Sequence, residues 1–550
     1  MIRLTLIIGL MLLLVTPAPA AVYWDSYQGN NRNTGTGMYD AIQAGGGATS
    51  IFNFVWQTPT PSASELQCGL WNTMLLVDDL NVYGTFGTAD SKVGVPGMWS
   101  GGIQALNRLT GVEVWRRTDV GNGYGDNWRM GNIILSMTET TLYHTTGTAY
   151  GTPVDGSTPH TTVFTDPSYD KSTIAYDGEG NPIILSGRYG GKFFGLSDDG
   201  ATFTNVFTTA NDTKAMGSIV AILDHSTLGT LVVACGNVAA VYAFDLATGA
   251  QVWQYAGLQV NAHAPTIDTN GNIYLGQGAA SGGQYAVGLD EDGVELFKVN
   301  LPSIDGLATS FASAGCLSYD QNTYYVQTIA AGGAGRAPYG MLYAVDVTTG
   351  TLKWTYDTQS LGSGWGGGNG YLQGSAPIIT KDGLIFVGNN DNNTIFALKD
   401  AGNHAEVLAT LTTASSARTN FSQGPDGTIY FGTKIPWTVG LEADGEEHWV
   451  WCAIQPMTGA GPGDVDGNGV VDGLDLTAVL TAWETTPGDP LWNENADLDD
   501  NNVVDGLDLT EVISNWTVSS SAAPDAAASD SGPKPGRGSV KKGKGNVRPK

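Results

Sequence analysis

The chain has 550 residues, more than one hydrophobic core usually organises, so we expect two or more domains. Its 76 Gly, 15 Trp and 22 Tyr, with only 14% charged residues, argue against helical bundles and indicate an all-β protein with many tight turns. The 53 acidic residues outnumber the 25 basic ones and give a net charge of −28, which argues against nucleic acid or an anionic membrane as the main partner.

The N-terminus has the features of a secretory signal peptide. Arg3 precedes an apolar run over residues 4–15, and Ala18-Pro19-Ala20 supplies the small residues of a cleavage site. We therefore predict a signal peptide at 1–20, cut before Ala21. The run is short for a membrane span, and no Cys follows it to carry a lipid anchor. The expected location is secreted, extracellular or at the cell surface, with the periplasm as an alternative.

One phrase recurs from residue 23 to residue 455, clearest in the sequence VYAFDLATGAQVW at 241–253 and again at 103–115 and 342–354. The phrase begins with a strand whose side chains alternate between its two faces, and the strand leads into an Asp that can accept hydrogen bonds from backbone N–H groups. Thr-Gly supplies the positive φ of a tight turn. The return strand carries a Trp that we expect to pack between neighbouring copies. A second hairpin precedes most copies. Two hairpins give four antiparallel strands per copy. Four-stranded copies that recur at a regular spacing along the chain predict a β-propeller.

Seven copies are legible, the looser ones following residues 193, 285, 395 and 439. The spacing between the copies at residues 103 and 193 is twice the usual one. The interval contains strand-like segments at 132–136 and 141–144, which indicate a degenerate blade. We predict eight blades, with seven as the alternative, in a propeller domain at 21–456.

The phrase resembles the pyrroloquinoline-quinone (PQQ)-like repeat of quinoprotein dehydrogenases and of the outer-membrane assembly lipoprotein. The opening WDSYQGNNRNTG at 24–35 is similar to the entry segment of that family, where it begins the strand that closes the ring. The resemblance implies the fold. Quinone chemistry in those enzymes would imply a vicinal Cys pair, which this sequence lacks, so the sequence argues against a PQQ cofactor.

The four cysteines lie at Cys68, Cys235, Cys316 and Cys452, without metal-binding spacing. Export permits disulfides, and a bond between Cys68 and Cys452 would tie the beginning of the propeller to its end. Buried free thiols are the alternative.

No catalytic constellation is identified. The six histidines, His144, His160, His225, His263, His404 and His448, share no ligand spacing. The acid pairs Asp198-Asp199 and Glu446-Glu447 fall in hairpin turns, where we expect solvated charge. In the Gly-rich loop at 362–371 we interpret Trp365 and Tyr371 as structural aromatics, with a sugar-stacking platform as the alternative.

Sharper chemistry lies in a second repeat. The segment DVDGNGVVDGLD at 464–475 recurs as DLDDNNVVDGLD at 497–508. Oxygen donors fall at loop positions 1, 3, 5, 9 and 12, with a backbone carbonyl at 7, as in an EF-hand calcium loop. Position 6 holds Gly469 or Asn502, which both tolerate positive φ. The pattern predicts two calcium sites.

Each loop runs into a short amphipathic helix. Leu476, Val479, Leu480 and Trp483 follow the first loop, and Leu509, Val512, Ile513 and Trp516 follow the second. Because a lone loop-helix has nothing to bury this face against, we expect the two faces to pack together.

These units resemble a type I dockerin, which implies a module at 457–517 that docks onto a cohesin. Carried over by residue, the ligands would be Asp464, Asp466, Asn468, Val470, Asp472 and Asp475, then Asp497, Asp499, Asn501, Val503, Asp505 and Asp508. Positions 10 and 11 depart from the family's small hydroxyl residues, because they hold Gly473-Leu474 and Gly506-Leu507. The expected partner is a cohesin-like or other extracellular protein.

Residues 518–550 form a Ser/Ala/Pro/Asp-rich linker and a basic tail with seven Lys or Arg after residue 533, which we expect to be disordered. The leading function is non-catalytic: a secreted binding or display propeller on an extracellular assembly. A dockerin-borne polysaccharide-active enzyme, with polysaccharide as a further binding partner, is the alternative. A PQQ-dependent dehydrogenase is the third hypothesis.

Overall fold

The computed structural model describes residues 21–25, 29–38, 52–58, 65–66, 74–89, 99–120, 135–145, 148–163, 168–188, 193–209, 220–236, 240–258, 264–277, 284–302, 309–311, 314–330, 339–358, 376–389, 392–412, 420–435, 448–456, 463, 465, 471, 473–499 and 501–516. The chain divides into two compact units, residues 1–459 and residues 460–550.

The strands of the first half of the chain are, in order, β1 (Val22–Trp24), β2 (Phe52–Gln57), β3 (Glu65–Leu66), β4 (Leu76–Asp78), β5 (Asn81–Ala89), β6 (Trp99–Asn107), β7 (Glu113–Arg117), β8 (Ser136–Met137), β9 (Thr141–Thr145), β10 (Thr148–Pro153), β11 (His160–Val163), β12 (Ser168–Tyr176), β13 (Pro182–Arg188), β14 (Phe193–Asp198), β15 (Phe203–Thr208), β16 (Ala221–His225), β17 (Gly229–Gly236), β18 (Ala240–Asp245) and β19 (Gln251–Ala256).

The remaining strands are β20 (Thr266–Ile267), β21 (Ile273–Gln277), β22 (Tyr285–Leu289), β23 (Glu295–Asn300), β24 (Thr309–Phe311), β25 (Cys316–Leu317), β26 (Thr323–Ala330), β27 (Tyr339–Asp346), β28 (Thr351–Asp357), β29 (Ile378–Ile379), β30 (Leu384–Asn389), β31 (Asn392–Asp400), β32 (Ala405–Thr412), β33 (Ser422–Gln423), β34 (Ile429–Ile435) and β35 (His448–Pro456). The helices are α1 (Gly473–Thr481) and α2 (Gly506–Ser514), with a 3₁₀ turn at Glu494–Ala496.

These strands form eight antiparallel sheets in the described part of the chain. Blade 1 contains β1 and β3–β7, and blades 2 to 5 contain β8–β11, β12–β15, β16–β19 and β20–β23. Blades 6 and 7 contain β24–β28 and β29–β32, and blade 8 contains β33–β35 with β2. The predicted eight-bladed, all-β propeller is confirmed, including the degenerate blade 2, whose first strand begins at Ser136.

The ring is closed by β2, which pairs antiparallel with β35 and so joins residues 52–57 to the last blade. The segment at 24–35, which the family resemblance assigns to the start of the closing strand, has a different position. Its Trp24 lies in β1, which pairs with β4 of blade 1. The chain therefore enters at the first blade and completes the eighth only afterwards.

The turn between the third and fourth strands of a blade explains the recurring phrase. In blade 4, Asp245 accepts a hydrogen bond from the backbone N–H of Thr248 at 2.8 Å, and Gly249 has a φ of +69°. Gly111 and Gly350 hold the same turn position with φ of +67° and +63°. Because a Cβ is strained in this region of backbone space, the Thr-Gly pair specifies the turn.

The Trp of the phrase joins neighbouring blades, as the sequence predicts. Trp253 of blade 4 donates its indole N–H to the carbonyl of Glu291 in blade 5 at 2.9 Å. Trp115 of blade 1 donates in the same way to Val154 of blade 2, also at 2.9 Å. Each contact adds a hydrogen bond to the burial of an aromatic ring.

The second unit has a small core of its own, formed by Val465, Val471, Val479, Ala482, Ala496, Val504 and Val512. Val479 of α1 and Val512 of α2 are fully buried in it, with Leu476 and Leu509 packed at its edge. We predicted that each helix buries an apolar face of four residues, but only the first two residues of each face pack in the core. Leu480, Trp483, Ile513 and Trp516 are exposed.

Candidate calcium site and docking surface

The second predicted calcium loop is built around the first turn of α2. Asp505 is the N-cap, and its carboxylate accepts a hydrogen bond from the backbone N–H of Leu507 at 2.8 Å. Asp508, at the third position of the helix, accepts from the backbone N–H of Asp505 at 2.7 Å. This capping box fixes the side chain of loop position 12 relative to the loop.

Three of the predicted ligands converge. Asp497, Asp499 and Asp508 each place a carboxylate oxygen within 4.8 Å of the others, and Asp508 is fully buried. No other group of three metal-ligating side chains occurs among the residues that the structure describes. Carboxylates this close repel one another, and oxygen donors in such a cluster are the ligands that calcium prefers. The donor set therefore fits a hard divalent cation.

Backbone hydrogen bonds hold the loop in this shape. Asp497 accepts from the N–H groups of Asn501 and Asn502 at 3.0 and 2.8 Å. Asn502 has a φ of +67°, as loop position 6 requires, and the side-chain oxygen of Asn501 accepts from the N–H of Val503 at 2.8 Å. These bonds hold the backbone of residues 501–503 close to the carboxylate of Asp497.

The described part of the first loop repeats this arrangement. Asp475 is fully buried and accepts from the backbone N–H of Val465 at 2.8 Å. Asp508 accepts in the same way from Leu498, which holds the position of Val465 in the second repeat, at 2.6 Å. The other predicted ligands of the first site, Asp464, Asp466, Asn468, Val470 and Asp472, lie outside the described residues.

Six exposed apolar side chains of the unit form three pairs, at equivalent positions of the two repeats. Leu474 and Leu507 are 62% and 61% exposed, Leu480 and Ile513 are 52% and 58%, and Trp483 and Trp516 are 37% and 39%. Helical spacing had predicted core positions for most of these residues. The equal exposure of each pair shows that the two repeats present equivalent surfaces. Residues 464–516 also hold 13 acidic and no basic side chains. Each repeat therefore exposes the same apolar positions on an acidic module.

The histidines of the propeller have separate structural environments. Burial lowers the pKa of His144 to about 4, so that its neutral ring donates Nε2–H to the carbonyl of Val120 at 3.1 Å. His160 and His225 hydrogen-bond to Asp198 and Asp292 at 2.8 and 3.1 Å. His404 contacts Asn403, and His448 lies in β35. His263, Glu446-Glu447, Trp365 and Tyr371 lie outside the described residues.

The expectation that the acid pair in blade 3 is solvated is wrong for Asp198. Its side chain is buried and accepts hydrogen bonds from the hydroxyl of Tyr143 at 2.8 Å and from the backbone N–H of Gly200 at 2.9 Å. With His160, it joins blade 2 to blade 3. The sequence concealed this role because the partners lie in the degenerate blade.

Three of the four cysteines lie in the described part of the propeller. Cys235, Cys316 and Cys452 are free and buried, and burial raises the pKa of each thiol. Of the two alternatives, buried free thiols are confirmed for these three cysteines, and Cys452 does not form the suggested bond with Cys68, which lies outside the described residues. A thiol with a raised pKa is a poor nucleophile at neutral pH.

A family model described as outer membrane protein assembly factor BamB matches residues 99–434, more than half of the chain. The chain belongs to this family. Residues 462–515 of this BamB-family protein match the dockerin type I domain. None of the curated proteins compared with it matches significantly.

The solved structures similar to the BamB-family propeller include dehydrogenases. A quinohemoprotein alcohol dehydrogenase from Pseudomonas putida HK5 is 12% identical, with a TM-score of 0.52, over 79% of this chain and 80% of that chain. A europium-containing methanol dehydrogenase is 12% identical, with a TM-score of 0.53, over 80% and 98%. At this identity the likeness concerns the fold alone. Within the described residues, no helix is long and apolar enough to span a membrane.

Proposed function

We propose that the protein is an exported binding or display propeller, held on an extracellular assembly by its calcium-loaded C-terminal module. The observation that carries the proposal is the convergence of Asp497, Asp499 and Asp508 in a segment that matches the dockerin type I domain. Calcium at that point would neutralise the carboxylates and hold α2 against its loop.

The module's surface supports a protein partner. Two equivalent sets of exposed apolar side chains, which include Leu474 and Leu507, lie on a module without basic residues. Exposed apolar area rimmed by polar groups is typical of interaction sites. The complementary partner has an apolar pocket with a basic rim, as a cohesin-like or other extracellular protein would present.

The test is capture of a partner by the immobilised full-length protein from an envelope extract of its source. We expect a defined protein to bind in calcium, to elute with a chelator, and to be lost when Asp475→Ala and Asp508→Ala together remove position 12 from both loops. Glu484→Gln, an exposed acid of the module outside both loops, is the matched control. Capture that survives chelation and the double substitution contradicts the proposal.

The enzyme hypotheses are tested on the same preparation. Release of reducing sugar from a polysaccharide panel would favour the polysaccharide-active alternative. Dye reduction with alcohols after addition of PQQ would favour the dehydrogenase alternative. The binding proposal expects neither activity.

A further inference from the structure

The residue that follows the predicted cleavage site has a specific carboxylate partner. The backbone nitrogen of Ala21 lies 2.8 Å from Oδ2 of Asp79, and the carbonyl of Ala21 accepts a hydrogen bond from the N–H of Asp79 at 3.1 Å. The hydroxyl of Tyr23 donates to the other carboxylate oxygen of Asp79. Three contacts thus converge on one exposed acid.

Ala21 also begins a segment that runs past the first strands of the blades. This belt, described at residues 22–25 and 29–37, has five carbonyls that each accept a hydrogen bond of 2.8 or 2.9 Å from a backbone N–H in a different blade. The acceptor and donor pairs are Asp25 with Met137, Asn31 with Ile222, Arg32 with Ile267, Thr34 with Leu317, and Gly35 with Ile379. They belong to blades 2, 4, 5, 6 and 7.

Side chains of the belt add further bonds between blades. The buried amide of Asn33 donates to the carbonyls of Val220 and Pro265 at 3.1 and 3.0 Å. Arg32 forms an ion pair with Asp224 at 3.0 Å. Gly37 lies so close to blade 8 that a Cβ there would be 2.0 Å from the side chain of Gln423. The belt therefore joins blades that are far apart in sequence.

We infer that cleavage between Ala20 and Ala21 creates an α-ammonium group that pairs with Asp79, and that this ion pair secures the start of the belt. In the cleavage, water adds hydroxyl to the carbonyl carbon of Ala20 and a proton to the nitrogen of Ala21, catalysed by a leader-removing peptidase. The amine then takes up a further proton at neutral pH. The nitrogen of Ala21 that faces Asp79 thus changes from a neutral amide with one N–H to a cation with three N–H donors.

The consequence is that leader removal adds a charge at the start of the belt. Before cleavage, a neutral amide N–H of Ala21 donates to the Asp79 carboxylate, and afterwards an ammonium group does so, which makes both partners of this bond charged. The pair is exposed, so its direct effect on stability is small. Its position matters because the described belt residues from Asp25 to Gly37 that bond to the other blades follow it in the chain.

The first test is the mass of the intact protein purified after export, with sequencing of its N-terminal peptide. We expect a chain that begins at Ala21. A chain that begins at any other residue overturns the inference, because the charge would then not lie at Asp79.

The second test is a cycle of four proteins that begin at Ala21, with a free or an acetylated α-amine and with Asp79 or Asp79→Asn. With Asp79, we expect acetylation to lower the Tm by about 1 °C, and with Asp79→Asn to leave it unchanged. The free amine should react with an acylating reagent at pH 7 about threefold more slowly in the Asp79 protein, since pairing favours the unreactive protonated form.

Asp155→Asn, which changes an exposed turn acid in blade 2, is the control and should behave as the unsubstituted protein. Equal effects of acetylation with Asp79 and with Asp79→Asn overturn the inference. It rests on the proposed export and on no property of the calcium module. Loss of partner binding with an intact pair therefore argues against the proposed function alone.

Discussion

The indole of Trp253 in blade 4 lies against Gly293 in blade 5, and a Cβ added to that glycine would be 2.6 Å from the ring. Gly293 also has a φ of +77°. The same contact recurs between Trp115 and Gly156, where the added Cβ would be 2.7 Å from the ring. The glycine of the turn thus has two roles: it adopts the positive φ of the turn, and its lack of a side chain leaves room for the Trp of the neighbouring blade.

Gly293→Ala is expected to lower the free energy of unfolding by about 3 kcal/mol, because it combines left-handed strain with overlap against Trp253. Gly200→Ala is the matched control: its φ is +85° and no heavy atom lies within 4 Å of the added Cβ. It should cost only about 1 kcal/mol. Urea unfolding of both variants checks this, and equal losses would contradict the role of the Trp contact.

Asp198→Ala should destabilise the protein by about 3 kcal/mol, since it leaves the buried hydroxyl of Tyr143 and the ring of His160 without their acceptor. Asp199→Ala, the neighbouring exposed acid that accepts from the N–H of Thr202 at 2.7 Å, should cost about 1 kcal/mol. Thermal unfolding of the two variants makes the comparison. A larger loss at Asp199 would show that Asp198 is not the acid that joins the blades.

The sequence predicted those features whose chemistry is local. The turn at Asp245 and Gly249 repeats in a readable phrase, and the spacing of Asp497, Asp499 and Asp508 already implies convergence. The belt was unreadable, because its interblade bonds come largely from backbone carbonyls, which leave no pattern of side chains. The exposure of Trp483 was also missed, since helical periodicity does not distinguish a core face from a surface that awaits a partner.

His144 should make the propeller sensitive to acid. Its pKa is about 4 in the folded protein and about 6.5 when unfolded, so below pH 6.5 the unfolded state binds the extra proton first. Its contribution to stability is therefore full above pH 6.5 and falls by about 3 kcal/mol as the pH drops to 4. His144→Gln keeps a donor for Val120 and cannot titrate. We expect its urea stability to fall less between pH 6.5 and pH 4, and parallel pH profiles would contradict this assignment.

Calcium titration should find two ions per chain, and Asp508→Ala should reduce this to one, because that substitution removes a ligand of the second loop alone. Glu484→Gln should still bind two. Chelation should speed amide hydrogen exchange in α2, while exchange in β18 of the propeller stays unchanged, since metal binding and folding of the loop are coupled. If the Asp508→Ala protein still binds two ions, the cluster of Asp497, Asp499 and Asp508 is not a calcium site.

Leu474 and Leu507 lie on equivalent exposed surfaces, and this equivalence predicts an unusual pattern of substitution effects. If either surface suffices for docking, Leu474→Ser or Leu507→Ser alone removes one of two equal binding modes and weakens capture of the partner about twofold. The double variant has no intact surface and should lose capture by more than about tenfold, as expected when buried apolar anchors are removed. Leu491→Ser, which changes a leucine of similar exposure outside both loop repeats, is the control. If one single variant abolishes binding and the other has no effect, docking uses one surface only, and the pairing of the exposed residues reflects the repeat rather than the partner.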